Sequence, residues 1–279
     1  MTPLVLKLGG ELLEQPSRLG AIAAVIAATP SPLVIVHGGG REIDAALARA
    51  GIAKRQVDGL RVTDADTLGI VIEVLAGAVN TRFVAAINAA GGRAVGLTGA
   101  DAGVVRARKV DAHRAVDGLV VDLGLVGEPT GGGAPRLLVE LVRANYLPVI
   151  ASIAADEGGT LLNVNADTLA AHLAARLGTP RLVIAGATPG VLDERGQTIA
   201  SLDAAAAEAL IGSGVASAGM IAKLRACHAA LAAGAEEVVL IDGREPAAIA
   251  AALRHTSKAE PGMTRIVTAG ATPRLGATS

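Results

Sequence analysis

The sequence predicts an α/β sandwich on a mainly parallel sheet, and three features carry that expectation. Apolar runs alternate with helical patterns, glycines bound the runs, and several runs lack any polar alternation. Leu33-Val34-Ile35-Val36, Leu182-Val183-Ile184-Ala185 and Val238-Val239-Leu240-Ile241 are apolar throughout, as strands covered on both faces must be. Alternation of strand and helix over 279 residues implies parallel crossovers, in one large domain or two lobes.

In chain order, strands are expected at 4–8, 33–37, 93–97, 104–108, 119–126, 147–151, 182–185, 238–241 and 265–268. Helical patterns fall near 18–28, 41–50, 64–89, 135–144, 166–177, 203–211, 218–233 and 246–253. The longest uncharged stretch, 19–40, is cut by Thr29-Pro30-Ser31-Pro32. It therefore reads as a short helix and a buried strand, since a membrane span needs ~20 predominantly apolar residues. Thr63 is expected to cap the long helix, with Asp66 completing a shortened capping box. That helix is apolar on much of its circumference (Leu68, Ile70, Val71, Val74, Leu75), which fits either a core helix or a homodimer contact. Residues 118–133 read as a hairpin excursion, with Gly131-Gly132-Gly133 as a loose loop. No linker or charge block marks a boundary; on size, lobes of 1–170 and 171–279 are expected.

Composition narrows the function classes. With 25 basic and 26 acidic residues the net charge is −1, which argues against holding nucleic acid or an anionic membrane by bulk charge. Phe83 and Tyr146 are the only aromatics, so a base-stacking platform is excluded. The single Cys227 cannot form an internal disulfide and lies on an apolar helix stripe, consistent with a core position in a reducing cytoplasm. Lys7, Glu11 and Glu14 stand where a signal peptide would carry its apolar core, so a soluble cytoplasmic protein is expected.

Five segments hold chemistry-bearing residues. Lys7 sits inside an apolar strand, where an ammonium must meet an anion, a carboxylate or water, and Gly9-Gly10 follow at once. The plainer alternative is a lysine snorkelling from an edge strand. Gly38-Gly39-Gly40 join a strand to a helix N-terminus, the geometry of an anion cradle. No GxxxxGK[ST] occurs, and Ile43 occupies the third glycine position of a dinucleotide fingerprint, so neither of those motifs is present. His37 reads as a satisfied strand-end histidine. Arg61 is placed on a loop before the long helix, where its fork suits a carboxylate. Asn163 and Asp167 flank a helix start, with Asp167 off the apolar stripe. Lys223 lies one turn into a helix expected to be capped by Ser217, a poor place for a cation unless an anion is near.

Taken in order, Lys7-Leu8-Gly9-Gly10-Glu11, Val36-His37-Gly38-Gly39-Gly40, Gly59-Leu60-Arg61-Val62-Thr63, Asn163-Val164-Asn165-Ala166-Asp167 and Gly219-Met220-Ile221-Ala222-Lys223 closely resemble the N-acetyl-L-glutamate kinase pattern within the amino acid kinase family. The likeness runs from Lys7 to Ile241-Asp242-Gly243, nearly the whole chain. It implies a three-layer α/β/α fold with an N-terminal acceptor lobe and a C-terminal ATP lobe. The resemblance assigns Lys7 and Lys223 to the charge on the γ-phosphoryl group and Asp167 to holding both ammonium groups. Gly10, Gly39 and Gly40 would line the phosphoryl path, Arg61 would bind a substrate carboxylate, and Asn163 the acetylated amino-acid part. ATP would lie along Gly9, Ala187, Gly190, Val191, Leu192 and Ser217, with Mg2+ arriving bound to it and no metal cage on the protein. The implied product is the acyl phosphate of N-acetyl-L-glutamate, a step of arginine biosynthesis. Such chemistry needs positioning and charge neutralisation rather than a nucleophilic side chain.

One departure stands out. Relatives usually read Leu-Thr-Asp-Val-Pro-Gly-Val where this chain reads Ala185-Gly186-Ala187-Thr188-Pro189-Gly190-Val191, so Ala187 replaces an aspartate and weaker nucleotide affinity is expected. The chain also begins at its first strand, whereas arginine-inhibited hexameric relatives carry a helix before it. A homodimer without arginine feedback is the expectation. Alternatives are a kinase for a related acceptor, such as carrier-protein-bound aminoadipate, and a weakly active nucleotide or amino-acid sensor.

Overall fold

A lysine in the middle of an apolar strand fixes much of the architecture, because the strand that carries it proves to be central. The structure is a computed structural model, and it describes residues 2–115, 118–131, 135–193, 195–212, 218–254 and 262–268. Its main sheet contains β1 (Leu4–Leu8), β2 (Leu33–His37), β3 (Ala94–Thr98), β4 (Leu147–Ala151), β5 (Arg181–Gly186), β6 (Ser201–Asp203), β7 (Glu237–Asp242) and β8 (Met263–Val267), in the order β6-β8-β7-β5-β1-β2-β4-β3. Its pairings are parallel except for β7 with β8. Helices α1 (Pro16–Ala27), α2 (Gly40–Arg49), α3 (Ala65–Ala89), α4 (Arg136–Arg143), α5 (Ala166–Leu177), α6 (Ala204–Gly212), α7 (Ala218–Ala232) and α8 (Pro246–Leu253) complete it.

Side-chain alternation along β1 separates the two faces. Leu4, Leu6 and Leu8 enter one core with Ile22 and Ile26 of α1, Phe83 of α3 and Ile249 of α8. Val5 enters the other with Leu138 of α4, Leu169 and Leu173 of α5, and Leu224 and Cys227 of α7. The sheet is thus covered on both sides, and the three-layer expectation holds. Lys7 falls on Val5's face, the one that α5 covers. Burial pushes the Cys227 thiol up, as suits a packing residue.

Other expectations shift. The strand at 93–97 moves by one residue, and of 104–108 only its end joins a strand, Ala107–Lys109. Residues 119–126 are not one strand: Val120–Val121 pairs with His113–Arg114, whereas Val126–Pro129 enters a second sheet. That sheet also contains Ile153–Ala155 and Leu161–Val164. The excursion therefore starts earlier than residue 118. Asp64, not Thr63, caps α3 by accepting a hydrogen bond from the Thr67 N–H; the Thr67 side chain and this N–H together hold the Asp64 carboxyl below its ordinary range. By length and composition alone α3 is able to cross a membrane; here Val71, Leu75, Val79, Phe83 and Ile87 are packed into the core.

Candidate active site

The C-terminal ends of β1 and β2 meet at one cleft, the usual ligand position in an open α/β sheet. Lys7 does not snorkel from an edge: β1 lies between β5 and β2, and Lys7 is 6% exposed. Its Nζ stands 2.8 Å from Asp167 Oδ1. Asn165 caps α5 by accepting from the Asp167 and Thr168 N–H groups, which leaves the Asp167 carboxylate for the lysine. Lys7 and Asp167 thus form a buried ion pair in the floor of the cleft.

Two glycine turns face one another beside this pair. A Cβ on Gly10 would overlap the Gly39 Cα and stand 2.9 Å from Gly38 O, so the turns after β1 and β2 touch backbone to backbone. Residues with side chains cannot make that approach. Gly39 is the N-cap of α2 and Gly40 its first residue, and their N–H groups have no protein acceptor among the described residues. Free N–H groups at the positive end of a helix suit an anion.

Arg61 is not on a loop. Gln56–Val57 and Leu60–Arg61 form a hairpin whose turn residues, Asp58 (φ 49°) and Gly59 (φ 80°), both have positive φ. An Asp-Gly pair of this kind is a strong hairpin signal that was available in the sequence. Arg61 is 8% exposed; its Nη2 donates to Asp44 Oδ1 and to Gly40 O at 3.3 Å. Burial pushes the Asp44 carboxyl up, but hydrogen bonds from Lys54 and Arg61 outweigh this and hold it below its ordinary value. The Arg61 Nη1 is buried without a partner among the described residues.

Thr63 is the residue that motif reading missed. Fully buried, it donates through Oγ1 to Arg61 O at 2.8 Å and accepts from Asn163 Nδ2 at 3.2 Å. Its backbone bonds Leu123 O at 2.8 Å and Leu125 N at 2.6 Å. One hydroxyl thus ties both acceptor-side candidates together and orients the Asn163 amide, whose carbonyl oxygen can accept from a ligand.

Lys7, Gly9, Gly10, Gly39, Gly40, Arg61, Asn163 and Asp167 all line this cleft, and so does Glu11. Lys223 is not in that lining. It lies over the end of β5, where a Cβ on Gly186 would meet its Cε at 3.3 Å and its Nζ at 3.8 Å, with Glu11 Oε1 at 3.9 Å. Among the described residues Asp167 has one ammonium within ion-pair distance, that of Lys7. Ala187 follows Gly186 directly. Gly190 (φ 69°) packs against Thr264, whose Oγ1 accepts from the Val191 N–H at 2.8 Å. The glycine there serves a turn packed on β8. Val191 is buried, Leu192 is exposed, and Ser217 lies outside the described residues.

A buried ammonium–carboxylate pair, bare glycine turns and a helix N-terminus around one cleft, with the Lys223 ammonium over the end of β5, are equipment suited to phosphoryl transfer. The model of the amino acid kinase family matches residues 2–242, and the chain belongs to that family. It is 39% identical over 253 residues to the acetylglutamate kinase of Stutzerimonas stutzeri (strain A1501), covering 88% of this chain and 84% of that protein. The acetylglutamate kinase of Novosphingobium aromaticivorans is 41% identical over 257 residues, with the same coverages. Among solved structures, N-acetylglutamate synthase from Neisseria gonorrhoeae, complexed with coenzyme A and N-acetyl-glutamate, superposes with a TM-score of 0.81 at 25% identity. That match covers 96% of this chain, which spans 59% of the synthase's length. The carbamate kinase of Giardia shares the fold, with a TM-score of 0.67 at 14% identity and coverages of 96% and 99%.

Proposed function

We propose that the chain transfers the γ-phosphoryl group of ATP to the side-chain carboxylate of N-acetyl-L-glutamate, in arginine biosynthesis. The observation that carries this reading is the buried, unpartnered Arg61 Nη1 in the same cleft as the Lys7–Asp167 pair. A guanidinium fork with one arm held by Asp44 and the other free is preorganised for a carboxylate. Asn163 offers its carbonyl oxygen to the acylated amide N–H. The reacting carboxylate lies against the Gly39 and Gly40 N–H groups. It is ionised at neutral pH and needs no general base. As its oxygen bonds to phosphorus, the bond to the ADP oxygen breaks and ADP carries the electron pair away. Lys7, anchored by Asp167, and Lys223 neutralise the charge on the equatorial oxygens, and Gly10 keeps the path clear.

Residues 1–170 hold the acceptor and 171–279 the nucleotide, along Ala187, Gly190, Val191, Leu192 and Ser217 with Gly9 contributed from the first lobe. Among the described residues no group of three His, Cys, Asp or Glu side chains converges as a metal cage. Mg2+ enters as part of MgATP, and none of the steps above is routed through it. The open edge of β3 and the outer face of α3 support a homodimer, for which light scattering should give twice the 27.6 kDa chain mass. The lone, buried Cys227 suits a reducing cytoplasm.

ADP release measured with N-acetylglutamate, glutamate, aspartate and N-acetylaminoadipate tests the assignment. N-acetylglutamate should give the highest kcat/KM; equal or faster turnover of aminoadipate or of the free amino acids would overturn it.

A further inference from the structure

Directly beneath the Gly38–Gly40 turn lies a buried polar pair that the steps above leave unused. His37, the last residue of β2, is fully buried, and its Nε2 is 3.0 Å from Asn80 Nδ2. The same Asn80 nitrogen donates to Val149 O at 3.0 Å. A carbonyl only accepts, so the atom facing it is the amide nitrogen, and an amide nitrogen only donates. His37 Nε2 must therefore be the bare nitrogen, and the ring proton is on Nδ1. Nδ1 in turn lies 3.2 Å from Gly38 O, to which it donates. Burial keeps the ring neutral, lowering its pKa to about 4, so a single tautomer is retained.

The consequence falls on the next peptide. With Gly38 O held by the ring, a trans peptide points the Gly39 N–H the opposite way. That N–H has no protein acceptor among the described residues, and Gly39 lines the cleft. Two further features are built around the pair. The π-helical stretch Glu73–Val79 delivers Asn80 into the interior, and a Cβ on Gly96 would collide with Asn80 Oδ1. A residue needed only for volume would require neither.

We propose that His37, locked in one tautomer by Asn80, is a positioning residue that aims the Gly39 N–H at the oxygen gaining or sharing charge during phosphoryl transfer. The inference rests on the cleft being the phosphoryl-transfer site.

Reciprocal amides test it. Asparagine places its NH2 where Nδ1 stood and keeps the donor to Gly38 O; glutamine reaches the Nε2 position and keeps only the Asn80 contact. His37→Asn should hold kcat within ~3-fold, while His37→Gln should lower kcat ~30-fold with both KM values within ~3-fold, the pattern of an interaction made in the transition state. In the wild-type protein, 15N spectra should show the proton on Nδ1, and adding ADP, aluminium fluoride, Mg2+ and N-acetylglutamate together should shift the Gly39 amide proton downfield. A proton on Nε2, or a His37→Gln variant as active as wild type, would overturn the proposal. If neither variant folds, the wild-type spectra decide alone. Wild-type protein that fails to phosphorylate N-acetylglutamate would break the functional reading instead, whatever the tautomer.

Discussion

The two sides of the cleft are held in different ways. On the side proposed for the acceptor Lys7, Arg61 and Thr63 are 6%, 8% and 0% exposed, and Asp167, Asp44 and Asn163 respectively reach them from other segments. On the side proposed for the nucleotide, the segment after β5 is held through one buried hydroxyl: Thr264 Oγ1 accepts from the Val191 N–H and donates to Ile199 O, and beyond it Leu192 is 41% exposed. A buried polar network preorganises one side, and a turn anchored to a neighbouring strand frames the other. Side-chain changes should therefore be severe on the acceptor side and mild on the nucleotide side.

Asp167→Asn attacks the first claim hardest. It leaves the Lys7 ammonium buried and unpaired, which should cost about 3 kcal/mol of stability and ~10²–10³-fold in kcat. Denaturant titration and steady-state kinetics would show both, and wild-type values in either would mean the pair does not organise the site.

The buried histidine gives a pH signature. Its folded pKa of about 4 lies below the ordinary 6.5 of an unfolded histidine. Unfolding therefore takes up a proton between those values, so its contribution is full above pH 6.5 and is lost as pH falls towards 4. The loss amounts to roughly 3 kcal/mol. The difference in unfolding free energy between wild type and His37→Asn should shrink over that window; a pH-independent difference would contradict a neutral buried ring.

Thr63→Val should raise the KM for N-acetylglutamate ~10-fold, about 1.4 kcal/mol for a lost buried hydrogen-bond bridge, with the KM for ATP unchanged. Thr63→Ser should restore it, and equal changes in both KM values would show the hydroxyl to be a general folding contact. Ala187→Asp, on the mild side, should tighten MgATP binding by no more than ~5-fold, the worth of a solvent-screened charge. A hundredfold gain by calorimetry would show that this side too depends on one buried charge.

Much of this was legible in the residues. Apolar runs long enough to be buried on both faces pointed to the parallel sheet, and Lys7 inside such a run called for an anion, a carboxylate or water, with snorkelling from an edge strand as the plainer alternative. What failed was local and short. Leu161–Val164 and Val126–Pro129 pair through segments far apart in the chain, and no single four-residue window contains that information. Arg61 was placed on a loop although Asp58-Gly59 marked its hairpin. Thr63 has the look of a helix cap, since a hydroxyl before an apolar run is an ordinary start signal; the competing partners, Arg61 O and Asn163, become visible only in three dimensions. Tautomer and amide orientation at His37 and Asn80 likewise depend on Val149, on a different strand.

The central claim is that two lysines from opposite ends of the chain act on one phosphoryl group carried to a carboxylate. Trapping the product with hydroxylamine measures this directly. Wild-type protein with MgATP and N-acetylglutamate should yield the hydroxamate of N-acetylglutamate, formed as hydroxylamine displaces phosphate from the acyl phosphate, and a folded Lys223→Ala variant should lose it by ~10²-fold or more. No hydroxamate from the wild type, or undiminished kcat in Lys223→Ala, would contradict the account.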